Sequence, residues 1–136
     1  MLRKADSICH QRSMSQSGAF HRDQALAAGH TPDSIGRRLA TGTWVELYPG
    51  VYAFAGTPAT WERDLMAAVL WSRGAAAGVA AGRLLDLPNC DDASLEIITT
   101  RGRPMPHSGV IVHFTKRLPR EQIIAVRNIP TTCVER

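Results

Sequence analysis

Residues 18–54, GAFHRDQALAAGHTPDSIGRRLATGTWVELYPGVYAF, decide the reading of this chain. Two short helical stretches lie on either side of Gly29-His30, and a hairpin follows Gly42. FHRDQALAA (20–28) reads as the first helix. Phe20 is placed as a staple residue, and Asp23 and Gln24 suit the positive end of the helix dipole. Gly29 stops it. TPDSIGRRLA (31–40) reads as the second helix, with Thr31 as N-cap, Pro32 at the first helical position and Asp33 in the first turn. Ile35 and Leu39 share one face, while Arg37 and Arg38 are expected to point elsewhere. Gly36 weakens this helix by about 1 kcal/mol relative to alanine. TWVELYPGVYAF (43–54) reads as a β-hairpin, rich in strand formers and turned at Pro49-Gly50.

Two helices across a Gly-containing turn are the signature of a helix-turn-helix, and the hairpin would be its wing. The second helix would then enter the major groove. It would present Thr31, Asp33, Ser34, Arg37 and Arg38, with Arg22 as a flanking contact and Tyr48 at the hairpin tip open between packing and a backbone contact. Arginine serves either a guanine edge or a phosphate. Lys4, Arg3 and Arg12 would reach phosphates. The alternative is a small α/β core whose helix carries a solvated arginine pair. Trp44 is expected in the core, because tryptophan dominates burial in a chain with 6% aromatic residues.

Outward from this stretch, residues 5–15 are expected to form a short helix with Ile8 and Cys9 inward. TWERDLMAAVLWS (60–72) is the clearest helix, with Trp61, Leu65, Ala68 and Val69 on one stripe. Residues 78–87 read as a further helix stopped by Pro88. SLEIITT (94–100) and GVIVHFT (109–115) read as two strands across a basic, turn-rich loop. Leu118 to Ile123 reads as one helical turn and Ala125 to Ile129 as a short strand. The terminal PTTCVER reads as the start of a helix. The fold class is therefore α+β: an N-terminal winged helix-turn-helix in residues 5–57, then a small α/β region in 58–136 that looks incomplete at its end.

The 136 residues carry a net charge of +4, with 44% hydrophobic residues. The charge is uneven. Residues 1–58 hold +2, residues 59–100 hold −3 and residues 101–136 hold +5. A basic balance points mildly to a polyanionic partner. Arg101, Arg103, His107, Lys116, Arg117 and Arg120 form the most basic stretch, readable as a second nucleic-acid surface or as a solvated hairpin rim. No run approaches the roughly 18–20 apolar residues of a membrane span, and the N-terminus lacks a signal-peptide pattern. Three scattered cysteines fit a reducing cytoplasm without disulfides. No metal-ligand spacing, phosphate loop or nucleophile motif is present, so no enzyme activity, metal or cofactor is expected.

The combination of QALAAG, TPDSIGRRLATG and WVELYPGVY, with EIITTRGRPMPHSGVIVHFTKRLP and IPTT further on, resembles the AbiEi-type antitoxins of type IV toxin–antitoxin systems. The likeness covers about residues 18–136 and is greatest for actinobacterial members. It implies a DNA-binding winged helix that represses the system's own promoter. It also implies a cytoplasmic protein with double-stranded operator DNA and a cognate nucleotidyltransferase toxin as partners. His21 stands where a Thr N-cap is common in that family, and Glu46 where the wing often has a basic residue. Relatives continue beyond the position of Arg136. The rival readings are the N-terminal portion of a restriction-endonuclease-like protein and a toxin-binding interaction module.

Overall fold

The computed structural model describes residues 4–90, 94–101 and 109–133. It is α+β, with two sheets and helices in both halves. Two compact units divide the chain, Met1–Trp71 and Ser72–Arg136. The sequence-expected boundary at residues 57–58 lies before helix α4, whereas compactness keeps α4 with the first unit.

The first unit runs α1 (Lys4–Ser15), β1 (Ala19–His21), α2 (Arg22–Ala28), α3 (Pro32–Ala40), β2 (Trp44–Tyr48), β3 (Val51–Phe54) and α4 (Trp61–Ser72, whose last residue crosses the boundary). Its three-stranded antiparallel sheet has the order β1-β3-β2. The expected helix over 20–28 is shorter than its pattern. Ala19–His21 pairs with Val51–Ala53 as a strand, and α2 begins only at Arg22. Phe20 is therefore a core residue rather than a staple. It is fully buried, edge-on to Trp44 at 4.9 Å between ring centroids. Trp44, Tyr52, Ile35, Ala25 and Cys9 complete this core. Offset and edge-to-face ring pairs of this kind add about 0.5–1.5 kcal/mol beyond area burial. Trp44 lies in the core as expected, 1% exposed.

Helix α1 forms over nearly the expected range, but Ile8 is exposed while Asp6, Cys9 and Ser13 are buried. The hairpin β2–β3 turns at Pro49-Gly50, where Gly50 adopts φ +80°. A register shift between Glu46 and Tyr48 sets Tyr48 level with Val51, so Trp44 shares a face with Tyr52 and Phe54 while Tyr48 lies on the opposite face. Helix α4 is capped by the Thr60 hydroxyl, which accepts from the Arg63 N–H at 3.0 Å. It buries Leu65, Ala68 and Val69 of the expected stripe and also Met66 and Ala67, so burial there runs all round the helix, while Trp61 is half-buried.

The second unit runs β4 (Ala75–Ala76), α5 (Gly78–Leu84), β5 (Leu95–Thr99), β6 (Val110–Phe114), a 3-10 turn (Arg120–Gln122), β7 (Ile123–Val126) and β8 (Ile129–Thr132). The sheet order is β6-β5-β4-β8-β7. The strands β5 and β6 pair in parallel, so the basic segment between them is not a hairpin rim. Most of that segment, with Arg103 and His107, lies outside the described residues. Helix α5 stops at Leu84, because Asp86 adopts φ +57° before Pro88 is reached. The expected strand over 125–129 is broken by a tight turn. Arg127 and Asn128 take φ +52° and +65°, the geometry that joins antiparallel neighbours. Ile129–Thr132 is a strand, not a helix start. Its N–H and C=O groups find partners on β7 and β4, which outweighs local preference. Ile97 and Ile129 are fully buried at the centre. The buried Thr99 and Thr131 hydroxyls donate to Ser72 and Ile129 carbonyls at 2.9 and 2.7 Å.

Candidate nucleic-acid interface

Both helices flanking Gly29 are capped by their own side chains. His21 caps α2: its Nδ1 accepts from the Asp23 N–H at 3.0 Å, and Gln24 Oε1 accepts from the His21 N–H at 2.9 Å. Histidine thus performs the capping that threonine would. Gly29 follows with φ +115°, the left-handed end that glycine reaches without a Cβ penalty. Thr31 caps α3 reciprocally with Ser34. The Thr31 hydroxyl accepts from the Ser34 N–H at 3.1 Å, and the Ser34 hydroxyl accepts from the Thr31 N–H at 2.9 Å. Such caps are worth about 1 kcal/mol each.

These interactions divide α3 into two faces. Ser34 and Ile35 are buried, and Arg38 and Leu39 half-buried, on the inner face. Pro32, Asp33, Gly36, Arg37 and Ala40 are exposed on the outer one. Arg38 is not part of a solvated pair. Its Nε and Nη2 donate to the two carboxylate oxygens of Asp6 on α1 at 2.9 and 2.7 Å, a bidentate bond spanning 32 positions. The guanidinium also lies 5.8 Å from the Trp44 ring centroid. His30 completes the cluster, with Nε2 3.1 Å from Asp6 Oδ1, Nδ1 3.1 Å from the Ser34 hydroxyl, and its ring edge-on to Trp44. The cluster fixes α1, the turn and α3 together. Burial pushes the Cys9 thiol beside it up to about 11, with Asp6 adding to the rise and Arg38 opposing it. The thiol therefore stays neutral and unreactive near neutral pH.

Of the expected DNA contacts, Thr31, Asp33 and Arg37 lie exposed around the start and outer face of α3, and Arg22 is half-buried at the start of α2. Ser34 is buried in the capping box. Arg38 is committed to Asp6. Tyr48 is placed inside rather than at the hairpin surface. It stacks on Trp71 at 5.3 Å, and burial raises its hydroxyl pKa, with Asp64 adding to the rise. Its apolar ring finds a partner in α4 that the hairpin sequence alone did not reveal. The wing residues 44–52 contain no lysine or arginine, and Glu46 accepts from the Gly50 N–H at 3.4 Å. Lys4 and Arg12 are exposed on α1, and Arg3 lies outside the described residues.

Among the described residues no three His, Cys, Asp or Glu side chains are grouped to hold a metal ion. None of the described helices is long and apolar enough to cross a membrane. The second unit has a cleft of about 540 Å³ between α5 and the sheet. Its acid, Glu96, is tied into the fold. It accepts from the Val79 N–H at 3.2 Å, where Ala77 offers α5 no side-chain cap, and lies 2.6 Å from His113 Nε2. The chain matches no known family in a scan of protein families, and no characterised protein matches it significantly.

Proposed function

We propose that the first unit is a winged helix-turn-helix that binds double-stranded DNA through the outer face of α3. We propose further that the chain acts as an antitoxin-type autorepressor of its own operator. The element order α1-β1-α2-α3-β2-β3, with α2 and α3 joined across Gly29-His30 and followed by a hairpin, supports this reading.

The observation that carries the reading is the division of α3. Its inner face is locked by Ile35, Ser34 and the Arg38–Asp6 pair. Its outer face is small and open, with Arg37 exposed beside Gly36, where a Cβ would meet nothing within 4 Å. Such a surface lets a helix backbone approach a groove closely while one arginine reaches a base edge or phosphate. The likeness to AbiEi-type antitoxins supplies the operator as the DNA and a nucleotidyltransferase toxin as the protein partner.

The test is a gel-shift titration of the full chain on its own upstream DNA. Arg37→Ala should weaken binding about tenfold or more, the loss of one good arginine contact. Arg38→Ala is the wrong probe, because it also strands Asp6. Absence of binding at low salt, or an affinity indifferent to Arg37, removes α3 as the reading helix.

A further inference from the structure

The strand register of the second unit gathers four chain segments at one end of the sheet. The parallel strands β5 and β6 both finish there, with Thr99 level with Phe114. β4 runs antiparallel to β5, so Arg73-Gly74, which precedes β4, comes to the same end. β8 is parallel to β4 and β7 turns back into it, so the Arg127-Asn128 turn is there as well. Hydrogen bonds tie these ends together. The Thr99 hydroxyl donates to the Ser72 carbonyl at 2.9 Å and accepts from the Arg101 N–H at 3.1 Å. The Thr115 N–H donates to the Thr99 carbonyl at 3.1 Å, and the Thr115 hydroxyl donates to the Arg117 carbonyl at 2.9 Å.

The side chains at this end share one sign. Arg73, Arg101, Lys116, Arg117 and Arg127 are all exposed. Residues 73–74, 99–101, 115–117 and 127–128 include no aspartate or glutamate. With strands about 4.8 Å apart, four neighbouring strand ends spread these cations over roughly 15 Å. At the end of β6 stands Phe114, 45% exposed, the single aromatic residue of the second unit. A row of cations attracts any polyanion. An exposed ring among them adds a flat apolar surface that matches an unstacked base. In a duplex those base faces are hidden within the stack.

We propose that this end of the sheet binds single-stranded nucleic acid, with the cations on backbone phosphates and Phe114 under a base. The surface belongs to the second unit and does not depend on the DNA reading of the first.

The experiment is fluorescence anisotropy of the full chain with labelled twelve-residue oligo-dT, oligo-U and a mixed-sequence duplex over a salt series. Single strands should bind with log K falling by about 0.7 per phosphate contact for each unit of log salt. Phe114→Ala should weaken single-strand binding about tenfold, the effect of losing one stacked base, and leave the salt slope unchanged. Arg101→Gln with Lys116→Gln should reduce the slope by about 1.4. All three residues are exposed, so the variants should fold as the parent does. Arg37→Ala should leave single-strand binding intact, which separates this surface from α3. Binding of oligo-dT and oligo-U alike, or of one alone, supports the site. Failure to bind either strand at low salt overturns it. So does single-strand binding indifferent to Phe114 and the two cations, or duplex binding that they alone control.

Discussion

The two units use their charged groups in opposite ways. In the first, Arg38 of α3 turns inward and is held by Asp6 with His30 beside it, fixing the turn and α1, and Arg37 alone of the α3 pair stays exposed. In the second, the charged groups at the sheet end turn outward, while Thr99 and Thr131 hydroxyls meet the internal hydrogen-bonding demand. The cores differ correspondingly. Phe20, Trp44, Tyr52 and Phe54 fill the first unit, whereas the second packs Ile97 and Ile129 against alanines and buried threonines. The second unit has close backbone packing, and its tightest demands fall on residues that have no side chain.

That contrast can be broken most sharply at Gly74. A Cβ there would collide with the Ile98 carbonyl oxygen and crowd Thr99, both on β5, and neither can swing away as a side-chain tip can. Gly74→Ala should destabilise the second unit by more than about 3 kcal/mol, the upper range for an overpacked site. All three tryptophans lie in the first unit, so their fluorescence reports that unit alone. Amide exchange should accelerate on β4, β5 and β8 while the fluorescence midpoint in denaturant holds. A fluorescence midpoint that falls equally would mean the units unfold as one.

The opposite variant, Asp6→Ala, should leave the half-buried Arg38 and the buried His30 without their carboxylate. Breaking one partner of a fully buried pair costs about 3–5 kcal/mol, and partial exposure lowers this to about 2–3 kcal/mol. Side-chain exposures of 12% for Asp6 and 15% for Arg38 place the pair near the buried limit. Here the fluorescence midpoint should drop, and exchange on β5 and β8 should stay slow. An unchanged midpoint would show that the pair contributes nothing to the first unit.

What was legible in the sequence follows the same division. Thr31, Pro32, Gly29 and Pro49-Gly50 act on their neighbours, so the two short helices and the hairpin could be read directly. Arg38 misled because its partner lies 32 positions away on α1, and adjacent arginines look alike until one finds a carboxylate. Ile8 misled for the same reason. The face of α1 that turns inward carries Asp6 and Ser13 beside Cys9, and Ile8 falls outside it. In the second unit β4 is two alanines inside an alanine-rich run, with no period to detect. The parallel pairing of β5 with β6 was equally hidden, because two short apolar strands read alike in either direction. The basic segment was visible as composition, but its gathering with Arg73 and Arg127 needed the register of four strands.

The smallest effect expected separates stability from recognition within the first unit. Gly36 lies mid-helix on the outer face of α3, and a Cβ added there meets nothing within 4 Å. Its φ is not in the left-handed region, so nothing in the fold requires glycine. Gly36→Ala should therefore stabilise the unit by up to about 1 kcal/mol, the helix-propensity difference, and raise its melting temperature by up to roughly 4–8 °C. If α3 seats against a groove, the same methyl occupies the space the DNA backbone needs. The variant should then melt higher yet bind its operator more weakly. A residue that is suboptimal for the helix and unused by the core is what a contact surface predicts. Should binding rise in step with stability instead, the open face of α3 is not where DNA lies. The comparison between an inward-facing first unit and an outward-facing second would then become the main guide to where nucleic acid is held.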